Sequence, residues 1–476
     1  MKRDDNYDVI IVGGGSAGLS TSRECTRLGL KVLLIEKQEL GGTCVNVGCV
    51  PKKITSELAN ILKSFKDSKF FGVSHNFKIN FEEFVKKRDF FIEKLNKIYG
   101  KMLQSANVDV IRGYARILED RRIQVNGQFY SSKNVIMATG SRPRASNFEG
   151  SEFVKYSDYF FKLKSVPSKC AIIGGGYIGL EFASILSLMG SEVTLFLRGD
   201  QILREFDSQV TKVLLNELKK RIKIKEFSKI KKIEKTEKIK KKEKTEEIEF
   251  KEINIESSEK YKIKFSQNSK EKEIKDVDLI LSCIGRDIDL SFSDLKFEKT
   301  SKNYLKVSEK FETSQKGIFA IGDLLGEHML TPVAIACGRS LANMLGGTQS
   351  YRKKSEIMGN VPSVVFTSPP LATVGISEEF ARKNLKKGEN LKIFISKFRN
   401  LYFSVFEDEK KEDSLVKIVE VDKKVVGITI VGKGCEESIQ GFAVALNKGC
   451  SVEDFKNTIC VHPTMSEEIV LVNEQK

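Results

Sequence analysis

Two segments, "YDVIIVGGGSAGLSTSRECTRLGLKVLLIEK" over 7–37 and "CAIIGGGYIGLEFASILSLMGSEVTLFLR" over 170–198, repeat one pattern. Each passes from an apolar strand through a glycine turn into a helix and out to a second apolar strand, which is a βαβ unit, here duplicated. The turns fit G-x-G-x-x-G: Gly13, Gly15 and Gly18 in the first unit, Gly174, Gly176 and Gly179 in the second. Glycines allow the tight turn and let a pyrophosphate approach backbone N–H groups at the helix N-terminus. The duplication predicts an α/β chain with two Rossmann-like dinucleotide-binding domains.

The ends of the second strands separate the two nucleotides. Glu36 stands where an acid can hold ribose hydroxyls. The equivalent position of the second unit is Leu197, followed by Arg198 and, a little further on, Arg204. Two cations in place of an acid suit a 2′-phosphate, so the second site is expected to take NADPH rather than NADH. "VIMATGSRPR" (135–144) and "LILSCIGRDI" (279–288) are strand-then-loop segments closing each unit, and their Gly140 and Gly285 join the nucleotide-binding candidates. In "GIFAIGDLLG" (317–326), Asp323 follows an apolar strand, where its carboxylate could take a sugar-like hydroxyl. Beyond about residue 357 the pattern changes to mixed strands and helices of an α+β domain. The expected boundaries are 1–145, 146–286, 287–356 and 357–476.

A chain of 476 residues is too long for one core. Its 40% hydrophobic and 30% charged content is that of a soluble globular protein, and no apolar run approaches the roughly 20 residues of a membrane helix. The N-terminus enters a strand pattern at once, leaving no room for a targeting peptide, so a cytoplasmic location away from membranes is expected. Of the net charge of +16, half lies between Lys219 and Lys251, where 15 Lys/Arg face 7 Glu, a net +8. With only Phe227 and Phe250 as aromatics there, this reads as a solvated surface insertion over about 219–275, not a nucleic-acid site.

Nine cysteines scattered along the chain do not form a secreted disulfide framework. Only Cys44 and Cys49, in "GGTCVNVGCVPKK", have motif-like surroundings. By themselves they could be a staple, part of a metal clip, or a redox pair. Two further metal ligands at suitable spacing are not evident, and no metal is expected.

That motif, with "GGGYIGLEFASIL", "AIGD…LTPVAIACGR" and "HPTMSEE" in the same order, resembles the dimeric pyridine-nucleotide disulfide oxidoreductases over essentially the whole chain. The resemblance implies FAD on the first βαβ unit, NADPH on the second, a C-terminal dimerisation domain and a homodimer with shared active sites. It makes Cys44–Cys49 a redox centre, with Cys44 attacking the substrate and Cys49 next to the flavin. His462, oriented by Glu467, would be the acid/base supplied by the partner subunit. Lys52 and Glu181 match the pair near the flavin's reactive nitrogen, Tyr177 the lid over the nicotinamide pocket, and Ser16, Thr43, Asp323 and Thr331 flavin contacts.

The same resemblance points to glutathione disulfide as substrate. Arg23 and Arg339 match arginines aimed at its carboxylates, and Ser16 and Tyr99 match further contacts. Phe91 and Met102 replace a tyrosine and an asparagine. Members that take the cationic trypanothione disulfide lack both arginines. Those that reduce thioredoxin through a C-terminal arm carry a cysteine pair there, whereas this tail, "PTMSEEIVLVNEQK", has none. A related disulfide reductase, or a non-catalytic flavoprotein using the basic segment for binding, are the alternatives. His75 and His328 carry no motif and read as structural or surface residues.

Overall fold

The computed structural model describes residues 6–74, 76, 78–236 and 259–475. His75 lies outside them, as does the middle of the Lys-rich stretch. The chain divides into two compact units: Met1–Lys52, Val85–Arg144 and Arg286–Gly359 in one, Lys53–Phe84, Ala145–Gly285 and Asn360–Lys476 in the other.

The first unit is built on β1 (Asn6–Val12), α1 (Ser16–Arg27), β2 (Val32–Glu36), α2 (Gly42–Val47), α3 (Cys49–Asp67) and α4 (Phe81–Ser105), the last two continuing into the other unit. β3 (Asp109–Arg112), β4 (Arg116–Ile117), β5 (Ile123–Val125) and β6 (Gln128–Met137) follow. Its sheet has the order β3-β2-β1-β6-β5-β4, with strand Ile318–Ala320 paired to β6. The register sets Val9 beside Val32 and Asn134, all parallel. Val9, Ile10, Ile11, Leu33 and Leu34 are wholly buried, the unbroken apolar run that a sheet covered on both faces demands. On one flank the helix Thr331–Leu345 crosses α1 so closely that a Cβ on Gly338 would stand 2.2 Å from Thr21 Oγ1. That contact carries Arg339 to the same flank as Arg23.

The second unit holds a parallel sheet in the order Lys223–Lys225, Glu192–Phe196, Lys169–Ile173, Leu279–Ser282, Lys155–Tyr156. It also holds a six-stranded sheet from residues 363 to 474, on which the helix Cys435–Lys448 packs through Ile439, Ala443 and Leu446. Mixed α/β architecture with parallel nucleotide-type sheets is thus borne out.

One expectation is corrected. Within 219–275, the described residues form strands Ser228–Thr236, Lys260–Gln267 and Lys270–Val277 of an antiparallel sheet, not a solvated insertion. Ile230, Ile233, Tyr261, Ile263 and Phe265 enter one core with Ala171, Phe196 and Ile280 of the neighbouring parallel sheet, while Lys262 and Lys264 pair with Glu234. The alternation in "KYKIKF" was the signal, and counting charge alone concealed it. The stretch 53–84, expected in the first domain, groups with the second unit.

Inside the second unit, Lys417 is 2% exposed and its Nζ lies 2.9 Å from Asp207 and 2.5 Å from Glu378. Asp207 also caps the helix Ser208–Lys219, accepting from the N–H groups of Gln209 and Val210. Removing one partner of such a group strands buried charge. Lys417→Met is therefore expected to cost about 3 kcal/mol, read as a lower thermal midpoint. A midpoint equal to wild type would show that the cluster carries no net stability.

Candidate functional site

At four of the motif glycines the backbone leaves no room for a side chain, whereas Gly15 and Gly176 have space for a Cβ. Gly13 sits at φ 110°, and a Cβ there would meet Ala138 O at 2.4 Å. A Cβ on Gly18 would stand 1.8 Å from Gly13 O. The second unit repeats this: Gly174 at φ 115° abuts Cys283 O, and Gly179 abuts Gly174 O at 2.3 Å. Gly140 and Gly285 also adopt positive φ. Neither α1 nor the helix Tyr177–Leu188 has a side-chain N-cap or an acid in its first turn. Neither helix start is closed by a capping side chain, which suits the approach of a pyrophosphate to its N-terminus. Both turns have the shape that lets a pyrophosphate approach a helix N-terminus.

Glu36 is buried, and its carboxylate accepts hydrogen bonds from Gly14 N (2.6 Å) and Gln38 N (2.7 Å). It fixes the turn as well as facing it. Asp323 Oδ2 accepts from Ser141 Oγ at 2.6 Å, and Arg286 donates to both the hydroxyl and the carbonyl of Ser141, each at 2.7 Å. Ser141 and Arg286 were not singled out from sequence, although each directly follows a candidate glycine, Gly140 or Gly285.

The cysteine segment lies on the first glycine turn. Gly41 N donates to Gly14 O at 2.9 Å, and a Cβ on Gly42 would stand 2.8 Å from the Gly15 Cα. The glycine pair at 41–42 thereby delivers α2, and with it Cys44, to the N-terminus of α1. Cys44 is half-buried and lies within reach of Cys49, Thr331 and Ser16. Cys49 opens α3 and is exposed, with Pro51 in the first turn, where a missing N–H costs nothing. Thr43 is exposed on α2.

Environment sorts the cysteines. The Cys49 thiol, then the Thr331 and Ser16 hydroxyls, pull Cys44 down to about 6 against the opposing effect of burial. Burial pushes Cys25, Cys170, Cys283 and Cys337 up to about 12, and Cys435 well above its ordinary value. A thiolate near neutral pH is a nucleophile, whereas the buried thiols are inert. Among the described residues no group of three or more His, Cys, Asp or Glu could hold a metal ion.

Arg23 on α1 and Arg339 are exposed, Tyr99 on α4 is half-buried, and Met102 sits one turn further along α4. Phe91 is also exposed on α4. Lys52 belongs to the first unit and is buried.

In the second unit, Glu181 is buried and accepts from Phe366 N at 2.9 Å. Tyr177, the first residue of its helix, is 41% exposed. Arg198 and Arg204 are exposed and make no ion pair among the described residues, while Leu197 is buried. His462 Nδ1 lies 2.8 Å from Glu467 Oε2, and Glu467 Oε1 accepts from Thr464 N. His462 first, and then the Thr464 N–H, hold the Glu467 carboxyl below its usual range. With Nδ1 engaged, Nε2 is left for an incoming group. Cys460 Sγ, which carried no sequence motif, lies 3.9 Å from the same Glu467 oxygen. His328 is exposed in a loop.

Comparison with known proteins adds to this geometry. The family described as Pyridine nucleotide-disulphide oxidoreductase matches residues 7–338, and its dimerisation domain matches residues 361–472. A glutathione reductase of Yarrowia lipolytica (strain CLIB 122 / E 150) is 34% identical over 98% of this chain and 98% of its own length. Among the described residues no helix is long and apolar enough to cross a membrane.

Alkylation of the reduced protein, followed at the Cys44 peptide, should rise with pH about a midpoint near 6. Cys49→Ser should move that midpoint up, towards the ~8.5 of a free thiol. An unmoved midpoint would mean that Cys49 is not what holds the Cys44 thiolate.

Proposed function

The chain belongs to the pyridine nucleotide-disulphide oxidoreductase family, and from that premise we propose that it is a homodimeric enzyme reducing glutathione disulfide with NADPH through FAD. The observation that carries the reading is the Cys44–Cys49 neighbourhood. The surroundings of Cys44 lower its thiol to about 6, and it lies against the N-terminus of α1, which carries the first glycine turn.

FAD would be held by the Gly13–Gly18 turn and α1 amides, by Glu36 and Asp323, and by contacts from Ser16, Thr43, Gly140 and Thr331. NADPH would be held by Gly174, Gly176, Gly179 and Gly285, with Arg198 and Arg204 on the 2′-phosphate and Tyr177 over the nicotinamide. A bound flavin supplies what no side chain can, transfer of an electron pair from reduced nicotinamide to the Cys44–Cys49 disulfide. Lys52 would place a cation where that electron density gathers.

The chain's own residues do the rest. The Cys44 thiolate attacks one sulfur of the substrate, forming a mixed disulfide and releasing the first glutathione as thiolate. His462 of the partner subunit gives that thiolate a proton, and Glu467 steadies the imidazolium. Cys49 then attacks Cys44, releasing the second glutathione and closing the Cys44–Cys49 bond. Arg23 and Arg339 hold the substrate's carboxylates, with Ser16 and Tyr99 as further contacts.

A shared active site accounts for the exposure of His462, whose side chain is 78% exposed in one chain beside Ile459 at 98% and Val461 at 74%. Apolar side chains so placed favour cover by a second copy. We place the reaction in the cytoplasm, where a reducing medium keeps the buried thiols free.

The first test is NADPH oxidation by the purified protein with glutathione disulfide, trypanothione disulfide, lipoamide and oxidised thioredoxin offered separately. Turnover with glutathione disulfide alone is expected, and inertness towards it would sink the substrate assignment. In the same assay, His462→Gln should lower kcat by about 10²-fold, the usual contribution of a positioned proton donor. The double variant Arg198→Ala, Arg204→Ala should raise KM for NADPH while leaving KM for NADH little changed. An equal change for both nucleotides would remove the 2′-phosphate role.

A further inference from the structure

A cavity of about 380 Å³ lies between α1 and α4, lined by Arg23 from the first helix and Ile98, Lys101, Met102, Ser105 and Ala106 from the second. Two of these six residues are cations and none is an acid. Neither Arg23 nor Lys101 has an ion-pair partner among the described residues. The acid nearest in sequence, Glu24, is occupied elsewhere: Arg27 binds it at 2.6 Å, and that guanidinium, with Arg339 at longer range, holds its carboxyl below the usual range. Lys97 and Lys101 are also separated by one turn of α4, a like-charge spacing that costs an isolated helix a few tenths of a kcal/mol.

Ile98, Met102 and Ala106 line the same cavity and give both cations apolar neighbours. A charge with low-dielectric neighbours attracts an anion more strongly than one surrounded by water. The helical spacing explains the arrangement, since 98, 102 and 105 share one face of α4 and 101 stands beside 105. A cavity of this size takes a small-molecule fragment, and its chemistry fits an aliphatic chain ending in a carboxylate. Tyr99 does not line it.

We propose that Lys101 is a specificity-determining residue, which together with Arg23 receives a terminal carboxylate of the peptide disulfide in the α1–α4 cavity, with Met102 as the apolar wall. The inference rests on the reading of the chain as a glutathione disulfide reductase and extends it. A second cation on the carboxylate compensates for the polar side chain that Met102 does not offer. It also makes the site select against substrates that are neutral or cationic at that end.

Steady-state kinetics of the holoenzyme test this with Lys101→Met, which keeps the stem and removes the charge, and Lys101→Arg, which restores the charge. Lys101→Met should raise KM for glutathione disulfide about tenfold, the scale of one charge-assisted contact, with kcat within about twofold. Lys101→Arg should return KM to within about threefold of wild type. With glutathione disulfide esterified at its carboxylates, wild type should lose affinity, whereas Lys101→Met should lose little more. Thermal midpoints establish that both variants are folded. An unaltered KM in Lys101→Met overturns the inference and leaves the proposed reaction standing. So does an equal rise for free and esterified substrate, because Lys101 would then not touch the carboxylate. If wild type fails to reduce glutathione disulfide at all, the proposed function falls and the inference with it.

Discussion

The close approach of two glycine-bearing backbones is the contact on which the site depends. Gly41 and Gly42 lie against Gly14 and Gly15, joined by the hydrogen bond from Gly41 N to Gly14 O, with no room for a Cβ on Gly42. Any side chain there would push α2 away from α1 and carry Cys44 away from Ser16 and Thr331. The same turn is fixed from below by Glu36, whose carboxylate holds Gly14 N, and from within by Gly18 against Gly13 O. One short piece of backbone thus sets a helix terminus without a side-chain cap and the position of the reactive thiol together.

Electrostatics follow from that placement. Cys44 has a second thiol and two hydroxyls around it, groups able to hydrogen-bond a thiolate, so its charged form is supported despite partial burial. For Cys170, Cys283 and Cys435 burial is the dominant influence and outweighs what hydrogen bonds Cys170 and Cys435 have, so their thiols are pushed up. His462 is governed differently: Glu467 is turned towards it by a capping box with Thr464, and Met465 and Ile469 anchor that turn in the core of the sheet. Positive charge is unevenly used. The lysines of the strand Lys260–Gln267 are met by Glu234 and Asp278, whereas Arg23 and Lys101 flank a cavity with no acid in its lining.

Much of the fold was legible because its signals are local. Strand, glycine turn and helix follow one another within some thirty residues, and each G-x-G-x-x-G reports a steric requirement that the backbone then shows at Gly13 and Gly174. Where sequence reading failed, composition had been allowed to outweigh periodicity. The Lys-rich stretch looked solvated because lysines dominate it, yet every second residue of "KYKIKF" faces a core. Ser141, Arg286 and Lys101 escaped notice for another reason: their partners are distant in the chain, and nothing in their own neighbours announces the contact.

The sequence by itself determined which segments form βαβ units, which residues could cradle a pyrophosphate, and which two cysteines stand in a motif. These depend on the steric and hydrophobic character of neighbours in the chain. Only the tertiary structure decided that Thr331 and Ser16 help support the Cys44 thiolate, that Asp323 is held through Ser141 by Arg286, and that Arg23 and Lys101 share a cavity. Interactions of that kind fall off within a few ångströms, and residues distant in the chain come that close only when the sheets and helices between them have packed.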